Sequence, residues 1–358
     1  MPGIYISYPF CAQKCTFCNF ASGVHGAETE QRYTKSLLQE IHAAVLPFTP
    51  DTLYFGGGTP SALSSESLSA IFKVLPYKFH EATLEAAPGT LTADRVRHWK
   101  ALGVNRISLG VQSFVSEELR RTGRRHTAET VANDVALLRE HGIENFNIDL
   151  IAGLPGQTAA SWAQSLDCIA RLSPPHVSVY MFEIDEDSNL GAEVLLNGKR
   201  YGAPQLPSED LTAALYETAV TTLAALNIPR YEISNFARPG SESLHNLKYW
   251  QLAPYIGFGA DAHSFNGTRR WQNPESIDAY LSRSPAPDTQ PADPTEHFWV
   301  GLRLMQGITP SPEEWRTHTQ PIGRLVQQGL LERTASTLKL TPRGVMLSNE
   351  VFQEFLPA

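Results

Sequence analysis

Between Ile4 and Phe182, short apolar blocks rich in β-branched and aromatic residues alternate with longer amphipathic stretches. The blocks Ile4–Ser7, Thr52–Phe55, Thr83–Ala86, Arg106–Gly110, Asn147–Ile151 and Val177–Phe182 read as strands. The stretches between them read as helices. One runs from about Glu30 to Val45, and another carries Val131, Val135 and Leu138 at i, i+4, i+7 spacing. Six β–α alternations predict a parallel sheet with helical crossovers. Cys18, Gly56, Glu85, Gln112 and Asp149 each fall at or just after the C-terminal end of a different strand. A TIM-like barrel assembles its site there. The expected fold class is α/β, a partial (β/α)6 TIM-like barrel.

After about Tyr201 the alternation stops. Ser208–Asn227 reads as an amphipathic helix with Leu211, Leu215, Val220, Leu223 and Leu226 apolar, and Arg230 to Ser264 reads as loop-rich. Ser284–Pro294 holds four prolines and reads as a boundary. The tail reads as helix, helix, short hairpin, helix, with Gly329–Glu332 and Leu338–Thr341 as the hairpin strands. This predicts a small C-terminal winged-helix-like α+β domain. The expected division is a barrel over 1–200, an extension over 201–290 and the small domain over 291–358.

Composition narrows the function classes. Hydrophobic residues make up 42% and charged residues 18%, enough for a sizeable core. A net charge of −8 disfavours a nucleic-acid binder. No apolar run approaches the roughly 18 residues that span a bilayer. The chain opens in the strand-like Gly3–Tyr8 with no signal-peptide pattern, so a cytoplasmic location is expected.

Three of the four cysteines, Cys11, Cys15 and Cys18, fall within eight residues. A disulfide framework would be dispersed, and the cytosol disfavours it. Thiolates ligate iron–sulfur clusters, which normally take four. A C-x3-C-x2-C loop offers three and leaves one iron of a [4Fe–4S] cluster open. The blander alternative is a zinc site completed by Cys168 or His25, although zinc sites more often use paired C-x2-C units.

This loop at the end of a first strand resembles the radical SAM superfamily, in which S-adenosylmethionine (SAM) chelates the open iron. Phe17 matches the family's aromatic before the third cysteine. Tyr54–Pro60 looks like its glycine-rich strand, with Gly57, Gly58 and Thr59 at the SAM amino group. Three further segments, Leu84–Gly89, Ile107–Phe114 and Asn147–Gln157, resemble the branch that contains oxygen-independent coproporphyrinogen III dehydrogenase and HemW. The resemblance implies that Tyr5 also lines the SAM site, that Glu85 pairs with the SAM ammonium, and that Gln112 and Asp149 bind ribose hydroxyls. It gives Arg124 a carboxylate partner. On residues alone, Arg124 reads as a solvated charge among Arg120, Arg121 and Arg125.

Two features separate the branches. The dehydrogenase has a fourth cysteine where this chain has Phe20, and a histidine where it has Ser7. The segment His245-Asn246-Leu247-Lys248-Tyr249-Trp250 matches the H-N-x-x-Y-W signature of the HemW family, which resembles haem-binding chaperones. That resemblance implies His245 as an axial ligand, with Tyr249 and Trp250 against the macrocycle. On residues alone His245 reads as a loop brace, and His263 is the next candidate. Ala87 and Asp261 depart from the family's usual Asn and Gly. The resemblance implies a haem chaperone with a [4Fe–4S] cluster, SAM, and haem as cargo. Its partner would be a haem-receiving protein such as a respiratory one. Neither nucleic acid nor membrane insertion is expected, while transient contact with a membrane protein and homo-oligomers stay open. The enzyme alternatives are coproporphyrinogen III dehydrogenase, or a radical SAM enzyme acting on another substrate.

Overall fold

The computed structural model describes residues 2–18, 21–46, 48–282 and 289–356. Six strands, β1 (Gly3–Tyr8), β2 (Thr52–Gly57), β3 (Glu81–Ala86), β4 (Arg106–Gln112), β5 (Asn145–Ala152) and β6 (His176–Met181), pair in parallel in chain order. Helices Ala27–Ala43, Ser65–Val74, Ala93–Leu102, Ala128–Glu140 and Ala159–Leu172 make the crossovers. Thr127 and Thr158 start two of them with reciprocal side-chain caps, each worth about 1 kcal/mol.

The strands carry two period-2 sets of side chains. Ile4, Ile6, Leu53, Phe55, Leu84, Ile107, Leu109, Ile148, Leu150, Val177 and Val179 are fully buried, in one cluster with Leu37, Ile71, Val96, Val135 and Ile169 of the helices. The alternate positions are polar. Tyr54, Glu85, Ser108, Asn147, Asp149, Ser178 and Tyr180 line a cavity of about 40 Å3 on the other face. Barrel interiors are ordinarily filled by branched apolar side chains. This one is lined with hydrogen-bonding groups.

The stretch expected to be loop-rich holds short strands. β7 (Asn235–Ala237) pairs antiparallel with β6 at one edge, and β8 (Tyr255–Phe258) runs parallel to β1 at the other. β9 (His263–Phe265), β10 (Arg269–Gln272) and β11 (Gln290–Pro291) extend that second edge. The result is one open sheet of eleven strands, ordered β11-β10-β9-β8-β1-β2-β3-β4-β5-β6-β7. Elements of two to four residues are too short to display alternation in sequence, which is why the sequence reading missed them. The expected helix after Ser208 spans Glu209–Ala225, capped by that serine. At the C-terminus, helices Pro312–Thr317 and Thr319–Gln327 precede a hairpin of β12 (Leu331–Arg333) and β13 (Leu338–Leu340), then helices Pro342–Met346 and Ser348–Gln353. Phe20 and the first five residues of the proline-rich boundary (284–288) lie outside the described residues. Among the described residues no helix is long and apolar enough to cross a membrane.

Candidate functional site

The cysteine loop leaves the C-terminal end of β1 and is tied down on three sides. Gly58 and Thr59 donate backbone N–H groups to the carbonyls of Tyr8 and Phe10 at 2.8 and 2.9 Å. Thr16 donates to the Thr122 carbonyl at 3.3 Å and Gln13 Nε2 to that of Gly123 at 2.9 Å. Leu190, past β6, donates to Thr16 at 2.8 Å. Phe17 meets Phe182 edge-on with centroids 6.1 Å apart. A glycine is required at position 58, because a Cβ there would stand 2.6 Å from the Phe10 carbonyl oxygen.

Arg124, from the segment after helix Ser116–Arg121, lies beside this loop. Burial pushes the Cys15 thiol up, Arg124 beside it pulls it down through charge and a hydrogen bond, and Cys18 and Cys11 push it up again. Arg124 therefore faces the cysteines rather than its exposed neighbour Arg125. Its Nε is buried without a hydrogen-bond partner, a deficit that an incoming carboxylate would satisfy. Among the described residues no three His, Cys, Asp or Glu side chains are grouped to hold a single metal ion. Cys168 lies on helix Ala159–Leu172, where its sulfur accepts from Arg171 at 2.9 Å. His25 is exposed with its ring against Phe10. Three thiols on one loop beside a guanidinium whose Nε lacks a partner suit a three-cysteine cluster with a carboxylate-bearing ligand.

Of the other expected SAM residues, Gln112, Glu85 and Asp149 lie in the C-terminal halves of β4, β3 and β5, while Tyr5 lies mid-strand on β1, level with Tyr54. Gln112 ends β4 in the left-handed region at φ 70°, just past a register shift, and its amide shares the space over Gly110 with Arg124. Such φ values in non-glycine residues concentrate at functional sites. Tyr5 and Tyr54 stack with centroids 6.1 Å apart, and the Tyr54 hydroxyl donates to Glu85 at 2.8 Å. Burial pushes the Glu85 carboxyl up from 4.5 to about 7 and the Asp149 charge adds to this, while hydrogen bonds from Tyr54 and the Gly57 backbone oppose it. Asp149 is also raised by burial, against hydrogen bonds from Ser178, Asn147 and Ser108 and the charge of Arg124. Two half-buried carboxylates and one arginine thus face one opening.

The H-N-x-x-Y-W segment lies elsewhere. It forms helix Leu244–Trp250 against the N-terminal ends of β1 and β2, the barrel floor. His245 is fully buried, with Nδ1 2.9 Å from Thr52 Oγ1 and Nε2 2.8 Å from the Tyr249 hydroxyl. Burial pulls its imidazole down to about 3, with Lys248 adding to the fall. Both ring nitrogens are engaged, so an axial-ligand role would require this helix to open. Tyr249 packs edge-on against His245 and Tyr255, and the Arg303 guanidinium covers the Trp250 ring at 4.4 Å. His263 on β9 is exposed. Asp261, at φ 60°, sits in the left-handed region that glycine and Asp tolerate best, and its carboxylate accepts from Gln272 at 2.7 Å.

Sequence reasoning missed the lumen itself. Asn147 Nδ2 donates to Asp149 at 2.6 Å and to Ser108 at 2.8 Å, and His176 Nδ1 lies 2.7 Å from Asn147 Oδ1. Tyr180, 42% exposed, offers an aromatic face at the mouth. The signal was present, since Arg106-Ile-Ser108, Asn147-Ile-Asp149 and His176-Val-Ser178-Val-Tyr180 are polar at every second residue.

Comparisons with known proteins agree with this fold. The radical SAM superfamily model matches residues 5–169. The chain is 33% identical to the heme chaperone HemW of Lactococcus lactis over 98% of this chain and 96% of that one. It is 32% identical to HemW of Bacillus subtilis, covering 99% of both, and 30% identical to HemW of Escherichia coli, covering 99% and 97%. The structure of coproporphyrinogen III oxidase (HemN) from Escherichia coli, described as a radical SAM enzyme, superposes with a TM-score of 0.84 at 23% identity over 99% of this chain and 90% of that one. That likeness shows a shared fold. The full-length matches place this chain in the HemW heme chaperone family, within the radical SAM superfamily.

Proposed function

We propose that this chain is a haem chaperone that carries a [4Fe–4S] cluster on Cys11, Cys15 and Cys18, binds SAM beside it, and passes haem to a haem protein in the cytoplasm. One observation carries the reading. Cys15, Arg124 and Asp149 converge at the mouth of a barrel whose relatives named heme chaperone HemW match it end to end. The cluster, when bound, supplies an iron with an open coordination position. Arg124 presents a two-pronged donor to a carboxylate. Glu85 offers its charge to an ammonium, Gln112 and Asp149 take hydroxyls, and Tyr5, Phe17, Gly57, Gly58 and Thr59 shape the pocket. Haem is cargo. In the closed fold His263 is the accessible imidazole of the extension, and His245, Tyr249 and Trp250 reach a macrocycle only if their helix moves.

The test is anaerobic reconstitution followed by parallel haem titration and coproporphyrinogen assay. Stoichiometric haem binding without coproporphyrinogen consumption is expected. Consumption with SAM turnover would make the chain a dehydrogenase instead.

A further inference from the structure

We infer that helix Leu244–Trp250 holds the two mouth carboxylates in place, making His245 a positioning residue for SAM. The inference rests on the SAM reading above. Two chains of contacts run down the barrel from the mouth, and both end on this helix.

The first chain starts at Glu85. Its carboxylate accepts from Tyr54 at 2.8 Å, and the Tyr54 ring stacks on His245 with centroids 5.2 Å apart and planes 30° from parallel. His245 is fixed by Thr52 and Tyr249, and its backbone N–H donates to Glu81 at 2.9 Å. The second chain starts at Asp149. Asn147 donates to Asp149 at 2.6 Å and to Ser178 Oγ at 3.0 Å, and Ser178 donates to Asn235 at 2.8 Å. Asn235 donates to the fully buried Glu232, which Arg303 reaches at 3.4 Å, and Arg303 covers Trp250.

Close-packed interiors transmit such displacements because they have few voids to absorb them. Removing the imidazole opens a hole directly beneath Tyr54. The ring can then settle away from Glu85, and the carboxylate loses the donor that aims it at the mouth. Helix Leu244–Trp250 would thereby act on the SAM site from the opposite end of the barrel. Movement of the helix would be felt by Glu85 and Asp149 together.

The test measures SAM affinity by equilibrium dialysis, with iron content and melting temperature on the same anaerobically reconstituted full chains. His245→Ala should weaken SAM by roughly tenfold or more, the scale of one charge-assisted hydrogen bond, with iron retained. His245→Phe restores a ring under Tyr54 and should recover most of the loss. In a Glu85→Gln background His245→Ala should add little. A lower melting temperature with unchanged SAM affinity would overturn the inference, as would equal weakening in the Glu85→Gln background. If His245→Ala fails to fold, Tyr249→Phe carries the same test, since it removes one hydrogen bond from the ring. A wild-type chain that binds no SAM overturns the underlying reading, a result distinct from any behaviour of the variants.

Discussion

Glu85 is the residue whose environment makes the sharpest demand. Its carboxyl is pushed to about 7, so the folded chain without SAM holds that proton well above the ordinary value of 4.5. The native state therefore binds more protons than the unfolded state between those values, and this group's contribution to stability falls as pH rises through the window. Thermal melts of the SAM-free chain should show Glu85→Gln more stable than wild type at pH 8, with the gain gone near pH 4. A constant difference across the range would remove Glu85 as the source. Ligand binding is a separate prediction. Glu85→Ala and Asp149→Ala should each weaken SAM by about 10- to 150-fold, the equivalent of about 1.5–3 kcal/mol for a buried charge-assisted hydrogen bond, while sparing iron. Unchanged affinity in both would take them out of the site. Arg124 shows what single-residue reading lacks. In sequence it is one of four arginines within six positions, and only the fold turns it toward Cys15.

Among the elements, β2 and the loop after β1 decide the cluster site together. Gly58 sits against the Phe10 backbone, so a side chain there collides with main chain that has no flexible end to move. Gly58→Ala should displace the cysteine loop at a cost of about 1–3 kcal/mol and lower iron uptake, with the far-ultraviolet circular dichroism of the barrel retained. Full iron content in that variant would show that the loop is not registered by β2. The parallel strands and their crossover helices were legible in sequence because each spans enough residues to show its period. β7 to β11 were not. They are held in place by edges that β1 and β6 provide, and nothing local to Asn235 or Tyr255 announces those partners. The floor position of helix Leu244–Trp250 was hidden for the same reason. Its motif names residue types, while Thr52, Tyr54 and Glu81 that enclose it come from distant strands.

At the scale of the whole molecule, an outer apolar layer backs the curved sheet and a polar lumen joins its two ends. The mouth carries the cysteines, Arg124, Gln112, Glu85 and Asp149, and the floor carries helix Leu244–Trp250. The sequence motifs picked out residues at both ends, but not that those ends oppose each other across one barrel. That relation exists only after β1 to β6 are arranged side by side. The central claim is that three cysteines hold a cluster whose remaining iron is left for SAM. Its most direct test is iron, sulfide and bound SAM per chain in anaerobically reconstituted wild type, Cys15→Ala and Cys168→Ala. Wild type and Cys168→Ala should each carry about four irons, the content of one [4Fe–4S] cluster, and bind SAM, whereas Cys15→Ala should lose both. Loss of iron from Cys168→Ala, or a single zinc ion in place of the cluster, would contradict the account.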